Sequence, residues 1–172
     1  MNKTLIVFYS KTGNVKLLAL KASQLLEADV EALVDQTKWT GFDGFIRRAH
    51  RAVIKGETKL GAMQYDPNNY EKVLIFSPLW GPTICPAIRT YLNQYIPTDK
   101  EISLVVLGAF SDGSGAKEEA EKMGYKLGGF LALLDKGQTG KENGELQGEN
   151  SVKLKEFIEG LFGEQIKNNG CE

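Results

Sequence analysis

The sequence is poor in the residues that build metal centres and disulfide frameworks. Its 172 residues include two cysteines, Cys85 and Cys171, and one histidine, His50. The cysteines do not form a CxxC pair, and a single histidine cannot complete a zinc-ligand set. We therefore expect no bound metal and no structural disulfide, and a cytoplasmic location follows as the expectation from this cysteine usage.

An excess of charge of one sign and long apolar runs are also missing. The chain has 21 Lys and Arg against 22 Asp and Glu, a formal net charge of −1. This balance argues against a protein that wraps nucleic acid and against a strongly anionic docking protein. Apolar runs stay short of the ~18 residues that a membrane-spanning helix requires. We expect neither nucleic acid nor a membrane among the partners.

What the sequence does contain is an alternation of apolar runs and segments of helical periodicity. The runs are continuously apolar, as in strands that are buried on both faces of a parallel sheet. The pattern predicts an α/β fold with a doubly wound five-stranded parallel sheet of order 2-1-3-4-5 and helices on both faces. The predicted strands are Thr4–Tyr9, Val30–Val34, Val73–Ser77, Ile102–Leu107 and Phe130–Leu134, and the predicted helices are Val15–Leu26, Phe42–Ile54, Ala87–Tyr95, Ala116–Leu127 and Ser151–Phe162.

The length fits one domain with a sizeable core. We predict a single domain over residues 1–164 and a polar C-terminal tail over residues 165–172. The segment Gly137–Asn150 is polar and rich in glycine, which predicts a surface loop.

Ligands of such sheets bind outside the carboxyl ends of the strands, where the strand order reverses. Here this point lies between the first and third strands, so the loops after Tyr9, Ser77 and Leu107 are expected to form the site. The first loop combines small polar residues and Gly13 with the start of a helix, which makes a seat for a phosphate. The alternative is an ordinary turn in which Ser10 or Asn14 caps the helix.

The other two loops carry an aromatic residue and a cluster of small polar residues. Trp80 stands beside Gly81 and Pro82, a combination that suits a flat aromatic ligand, although a buried Trp80 that anchors the loop is the alternative. The loop between Leu107 and the next predicted helix is rich in serine and glycine. It either donates hydrogen bonds to a ligand or is a connector that Ser114 caps.

These three loops resemble those of the flavodoxin family. The hexad "SKTGNV" resembles the family's phosphate-binding loop, [ST]-x-[ST]-G-N-T, with Val15 in place of the last threonine. "SPLWGPTICPAIRTYL" resembles the stretch P-[IV]-W-x-G-x-x-x-P that follows the third strand, with its glycine one place earlier. "FSDGSG" resembles the stretch that wraps the polar edge of the flavin ring, and "YDPNNYEKV" resembles a lead-in to the third strand. The resemblance covers Thr4 to about Leu134.

The resemblance implies FMN as the cofactor and assigns each loop to one part of it. The first loop would hold the phosphate, the second would face the isoalloxazine ring, and the third would reach its pyrimidine edge or opposite face. No catalytic acid or base is implied. The implied cofactor-binding residues are Ser10, Lys11, Thr12, Gly13, Asn14, Val15, Pro78, Leu79, Trp80, Gly81, Pro82, Phe110, Ser111, Asp112, Gly113, Ser114 and Gly115.

The implied function is a redox protein that carries electrons between partners through FMN. Carriers of this family are typically acidic, so the balanced charge of this chain also favours an NAD(P)H-dependent FMN oxidoreductase, for example a quinone reductase. The partner is then a redox protein or NAD(P)H. A module of the same fold without flavin remains a further alternative because of Val15. The basic segment Phe42–Gly56 is interpreted as a sheet-covering helix, with a docking patch as the alternative, and Cys85 as an inert thiol.

Overall fold

The computed structural model describes residues 4–37, 56–135 and 148–169. The predicted helix Phe42–Ile54, with His50, lies outside the described residues, as does most of the predicted loop Gly137–Asn150. Among the described residues no helix is long and apolar enough to cross a lipid bilayer.

Five parallel strands form the centre of the molecule, and a sixth short strand extends one of them. The strands of the described residues are β1 (Thr4–Phe8), β2 (Asp29–Ala32), β3 (Lys72–Trp80), β4 (Thr83–Ile84), β5 (Glu101–Gly108) and β6 (Leu127–Leu134). Their order in the sheet is β2-β1-β3-β5-β6, with β4 antiparallel to β3. With β4 set aside, this is the predicted order 2-1-3-4-5, which confirms the fold class.

Four α-helices and a 3₁₀ turn accompany the strands within the described residues. The turn, Pro67–Asn69, begins at Asp66, whose side chain accepts a hydrogen bond from the Asn68 N–H. The "YDPNNY" lead-in is therefore a capped turn, and its Tyr70 hydroxyl donates to Asp29 Oδ2 at 2.8 Å. The helices are α1 (Asn14–Leu26), α2 (Pro86–Tyr95), α3 (Ser114–Lys122) and α4 (Glu149–Asn169).

The four described helices each begin one or two residues before the predicted start, and two of them end elsewhere than predicted. Helix α3 ends at Lys122 instead of Leu127, because Gly124 takes a left-handed φ of 95° and Leu127 already pairs with β5. Helix α4 is kinked at Phe162 and continues to Asn169, across the predicted boundary between residues 164 and 165.

The sheet separates two apolar clusters because successive side chains of a strand point to opposite faces. In β1, Leu5 and Val7 belong to one cluster, whereas Ile6 and Phe8 belong to the other. We call the first the α2–α3 cluster and the second the α1–α4 cluster, after the helices that complete them. The helices contribute Ala87, Ile88, Tyr91, Leu92, Ala116 and Ala120 to the first and Val15, Leu18, Ala19, Ala22, Leu154 and Ile158 to the second.

Candidate functional site

The three predicted loops lie at one edge of the sheet, and direct contacts connect their surroundings. The Asp135 N–H, just after β6, donates to the Gly108 carbonyl at 2.8 Å. Leu79 packs over Gly108 so closely that a Cβ added there would lie 2.7 Å from Leu79 Cδ1. A Cβ at Gly115 would likewise lie 2.6 Å from the Pro82 carbonyl oxygen. The end of β3 therefore touches the end of β5, and the turn after β3 touches the first residues of α3.

The first loop is closed by a short turn that leaves the start of α1 open. Ser10 Oγ accepts a hydrogen bond from the Gly13 N–H at 3.1 Å. Gly13 is the N-cap residue, with a φ of 96°, and among the described residues no side chain caps α1. The first N–H groups of a helix have no intrahelical partner, so they remain donors for an anion. Lys11 and Thr12 lie exposed beside them.

The side chains of Asn14 and Val15, the last two residues of the hexad, are both engaged by other parts of the protein. The Asn14 Nδ2 donates to Asp135 Oδ2 at 2.6 Å, so the amide is held by a carboxylate from the end of β6. The Val15 side chain is 3% exposed and packs in the α1–α4 cluster. At this position only the backbone N–H can therefore face a ligand.

The second loop is a β-hairpin rather than an irregular loop. Strand β3 continues past the predicted end at Ser77, so Pro78, Leu79 and Trp80 are extended strand residues. Leu79 pairs with Ile84 and Trp80 with Thr83. The sequence did carry a signal for this hairpin. A glycine at the first central position is typical of a type II′ turn, and two residues, Gly81 and Pro82, separate the paired positions.

The turn geometry explains the residue pair at the hairpin tip. Gly81 has a φ of +64°, which a type II′ turn requires at this position. Pro82 follows at the second central position, whose negative φ its ring favours. Both residues are exposed. Trp80 is partly buried and packs against the α2–α3 cluster.

The third loop presents a wholly exposed aromatic side chain. Phe110 is 100% exposed, although phenylalanine is among the residue types most often buried. The polar residues after it fold back on each other. Ser111 Oγ accepts from the Gly113 N–H at 3.2 Å, while Asp112 Oδ1 accepts from the Ser114 N–H at 3.0 Å and from its hydroxyl at 2.7 Å. These bonds to the carboxylate lower the pKa of Asp112.

Gly113 and Gly115 bring this loop close to its neighbours. Gly113 has a φ of +76°, and a Cβ there would lie 2.7 Å from Val106 Cγ2. Neither the backbone conformation nor the space admits a larger residue. Gly113 is also the N-cap residue of α3, which begins at Ser114. The alternative in which Ser114 caps this helix is therefore wrong, because the Asp112 carboxylate accepts the Ser114 N–H and the Ser114 hydroxyl donates to the same carboxylate.

Cys85 lies behind the hairpin and is fully buried. Burial raises the pKa of its thiol to about 11, although its hydrogen bond with Ser77 acts in the opposite direction. A thiol of this kind is a poor nucleophile at neutral pH. Within residues 4–37, 56–135 and 148–169, no group of three or more His, Cys, Asp or Glu side chains could hold a metal ion.

Sequence reasoning missed Asp135, Gly108 and the hairpin strand β4. Asp135 is 121 residues from Asn14 in sequence, so no local pattern indicates their contact. Gly108 belongs to an apolar strand, and its closeness to Leu79 depends on the pairing of β3 with β5.

Comparison with known proteins places this fold among solved structures. No protein-family model matches the chain, and no curated protein matches it by sequence. A candidate flavoprotein from Bacteroides eggerthii superimposes with a TM-score of 0.72 at 13% identity, over 92% of this chain and 97% of that one. A flavoprotein from Lactobacillus acidophilus, solved in complex with FMN, superimposes with a TM-score of 0.61 at 22% identity, over 77% of this chain and 93% of that one. A WrbA-like flavodoxin from Agrobacterium tumefaciens superimposes with a TM-score of 0.54 at 10% identity, over 97% of this chain and 99% of that one. The chain has a flavodoxin-like α/β fold.

Proposed function

We propose that this protein binds FMN at the carboxyl edge of its sheet and carries electrons between redox partners through it. The observation that carries the proposal is the fully exposed Phe110, in the loop after β5. That loop leads into α3, whose Gly115 contacts Pro82 of the Trp80 hairpin. The start of α1, which no described side chain caps, follows β1 at the same edge of the sheet. The solved complex of the Lactobacillus acidophilus flavoprotein with FMN supports the same ligand.

The phosphate end fits the first loop. The N–H groups at the start of α1 would bind phosphate oxygens, and the partial positive charge of the helix N-terminus favours an anion there. Thr12 adds an exposed hydroxyl and Lys11 an exposed cation. The Asp135 carboxylate opposes this binding, since it lies one hydrogen bond away from Asn14.

The ring end fits the second and third loops. Trp80 and Phe110 would pack on the isoalloxazine, and the small residues at the hairpin tip would let backbone groups approach the ring edge. Pro82 has no N–H, so the Gly81–Pro82 peptide can only accept a hydrogen bond. Bound FMN supplies the redox chemistry, whereas these residues hold, orient and shield it.

Titration with two flavins tests this proposal. The visible absorption spectrum of the purified protein, recorded before and after FMN is added, shows whether a flavin binds. Riboflavin lacks the phosphate, so Thr12→Ala should weaken FMN by about 1 kcal/mol and leave riboflavin unchanged. If both ligands lose affinity equally, Thr12 does not contact the phosphate. A protein that binds neither flavin is the flavin-free module of the same fold.

The balanced charge of the chain favours a second candidate function, an NAD(P)H-dependent FMN oxidoreductase. A charge of −1 provides little electrostatic steering toward a basic protein partner. Steady-state oxidation of NADH and NADPH by the FMN-loaded protein, with a quinone as acceptor, distinguishes the two functions. An electron carrier shows no turnover without a partner reductase.

A further inference from the structure

The hairpin that carries Trp80 depends on side chains for part of its backbone hydrogen bonding. In an antiparallel hairpin the residue pairs alternate between bonded and non-bonded positions. The pair next to the turn is Trp80 with Thr83, so the backbone groups of Ile84, in the following pair, point away from β3. Ile84 is fully buried, and its N–H and carbonyl both need partners.

An ion pair between two helices supplies both partners. Glu119 Oε2 accepts from the Ile84 N–H at 3.1 Å, and Arg89 Nη2 donates to the Ile84 carbonyl at 2.7 Å. Arg89 Nε also donates to Glu119 Oε1 at 2.5 Å. The two side chains therefore act on Ile84 as a neighbouring strand would.

This ion pair is buried, and further hydrogen bonds fix its geometry. Arg89 and Glu119 are each 3% exposed, and Arg89 Nη1 donates to the Gly56 carbonyl at 2.9 Å. A buried ion pair often contributes no more stability than apolar residues of similar size. What this ion pair contributes is the orientation of the hairpin, because the planar guanidinium and the carboxylate hold the Ile84 peptide groups in one orientation.

The same pair connects the two loops that would face the isoalloxazine. Glu119 lies four residues after Gly115, so both residues share one face of α3. Gly115 contacts Pro82 at the hairpin tip, and Glu119 binds Ile84 at the hairpin base. Helix α3 begins directly after the loop that carries Phe110. The hairpin is thus held along α3 at two points.

We propose that Arg89 and Glu119 are positioning residues that fix the distance between the Trp80 hairpin and the Phe110 loop, and thereby the slot for the isoalloxazine ring. This inference rests on the proposed function. Neither side chain touches the ligand, and their effect passes through Ile84 and the hairpin. The phosphate seat on the first loop is anchored elsewhere, in the α1–α4 cluster, and is unaffected.

The test replaces Glu119 in a Trp39→Phe background, in which Trp80 is the only tryptophan. In Glu119→Gln, the amide can accept from either Ile84 or Arg89 but presents an N–H to the other, so one bond is lost. Glu121→Gln is the matched control, because Glu121 is exposed on the same helix and pairs with Lys117. We expect the dissociation constants of FMN and riboflavin to rise by the same factor, about tenfold. Without flavin, Trp80 emission should shift to the red and its quenching by acrylamide should increase.

A second variant separates positioning from stability. Tyr125→Phe removes the hydroxyl that donates to the Leu92 and Ile96 carbonyls, at the opposite end of α2 from the hairpin. It should lower the melting temperature while flavin affinity and Trp80 emission stay as in the wild type. An equal loss of flavin affinity in Tyr125→Phe would overturn the inference, because the effect of Glu119→Gln would then follow stability alone. A loss of affinity for FMN alone would also overturn it, since that places the effect at the phosphate. Wild-type protein that binds neither flavin refutes the proposed function, and this inference with it.

Discussion

The Asp135 carboxylate is a negative charge beside a predicted phosphate seat, and neutralising it should tighten FMN binding. Asp135→Asn keeps an oxygen that accepts from the Asn14 amide, so the 2.6 Å hydrogen bond between the two side chains can persist. The charge is the main property that changes. Riboflavin has no phosphate, and its affinity should stay the same.

The size of the effect follows from the charges and their separation. We assume a separation of roughly 7 Å between the Asp135 carboxylate and a phosphate at the first N–H groups of α1. In a water-like dielectric, repulsion between a dianion and a carboxylate at this distance costs about 1 kcal/mol, or about fivefold in affinity. The cost increases as the bound ligand excludes water from the site.

Fluorescence titration of both flavins at low and high salt measures this effect. Asp99→Asn is the control, since it removes the same charge from an exposed position just before β5, at the opposite edge of the sheet. The gain for FMN in Asp135→Asn should shrink as salt screens the repulsion. Unchanged FMN affinity, or an equal gain for riboflavin, would refute this reasoning and move the phosphate away from α1.

Three further experiments test the proposed ring site and the core. Phe110→Ala should weaken flavin binding by ~1–3 kcal/mol, the usual contribution of aromatic stacking, without lowering the melting temperature, because the side chain is wholly exposed; a lower melting temperature would contradict this. In a Cys171→Ser background, iodoacetamide should modify Cys85 slowly at pH 8, where a pKa of about 11 leaves about a thousandth of the thiol ionised. In urea the modification should be rapid, and equal rates with and without urea would contradict the burial of Cys85. Tyr125→Phe should lower the free energy of unfolding by ~1–2 kcal/mol, because its hydroxyl donates to the buried carbonyls of α2 and the residue after it. Tyr91→Phe should not, because the buried Tyr91 hydroxyl has no hydrogen-bond partner among the described residues; urea denaturation compares the two.

The sequence predicted the sheet order, and with it the edge of the sheet at which the three loops lie, because both depend on strong local patterns. Each parallel strand is a continuous apolar run, and the loops at the switch point carry glycine, serine and tryptophan. The details of the site depend on contacts that are distant in sequence. Asn14 resembles a phosphate ligand in the hexad, yet its amide is held by Asp135, which no local signal connects to it.

The boundary between α3 and β6 shows a second limit of sequence reasoning. Ala116, Ala120 and Leu127 fit one apolar helical stripe, which extended the predicted helix to Leu127. In the structure Leu127 is instead the first residue of β6 and pairs with Ile102 of β5. Gly124 was the available signal, since a glycine with positive φ typically ends a helix.

The division of the core by the sheet has a consequence for how the protein unfolds. Val15 anchors the first loop in the α1–α4 cluster, whereas Trp80 and Ile84 anchor the hairpin in the α2–α3 cluster. The two halves of the proposed flavin site can therefore loosen separately, each with its own local opening free energy. A ligand that spans both halves would tie these openings together. Hydrogen exchange of α1 and of the hairpin should then slow in parallel when such a ligand binds, although the two regions share no side-chain cluster.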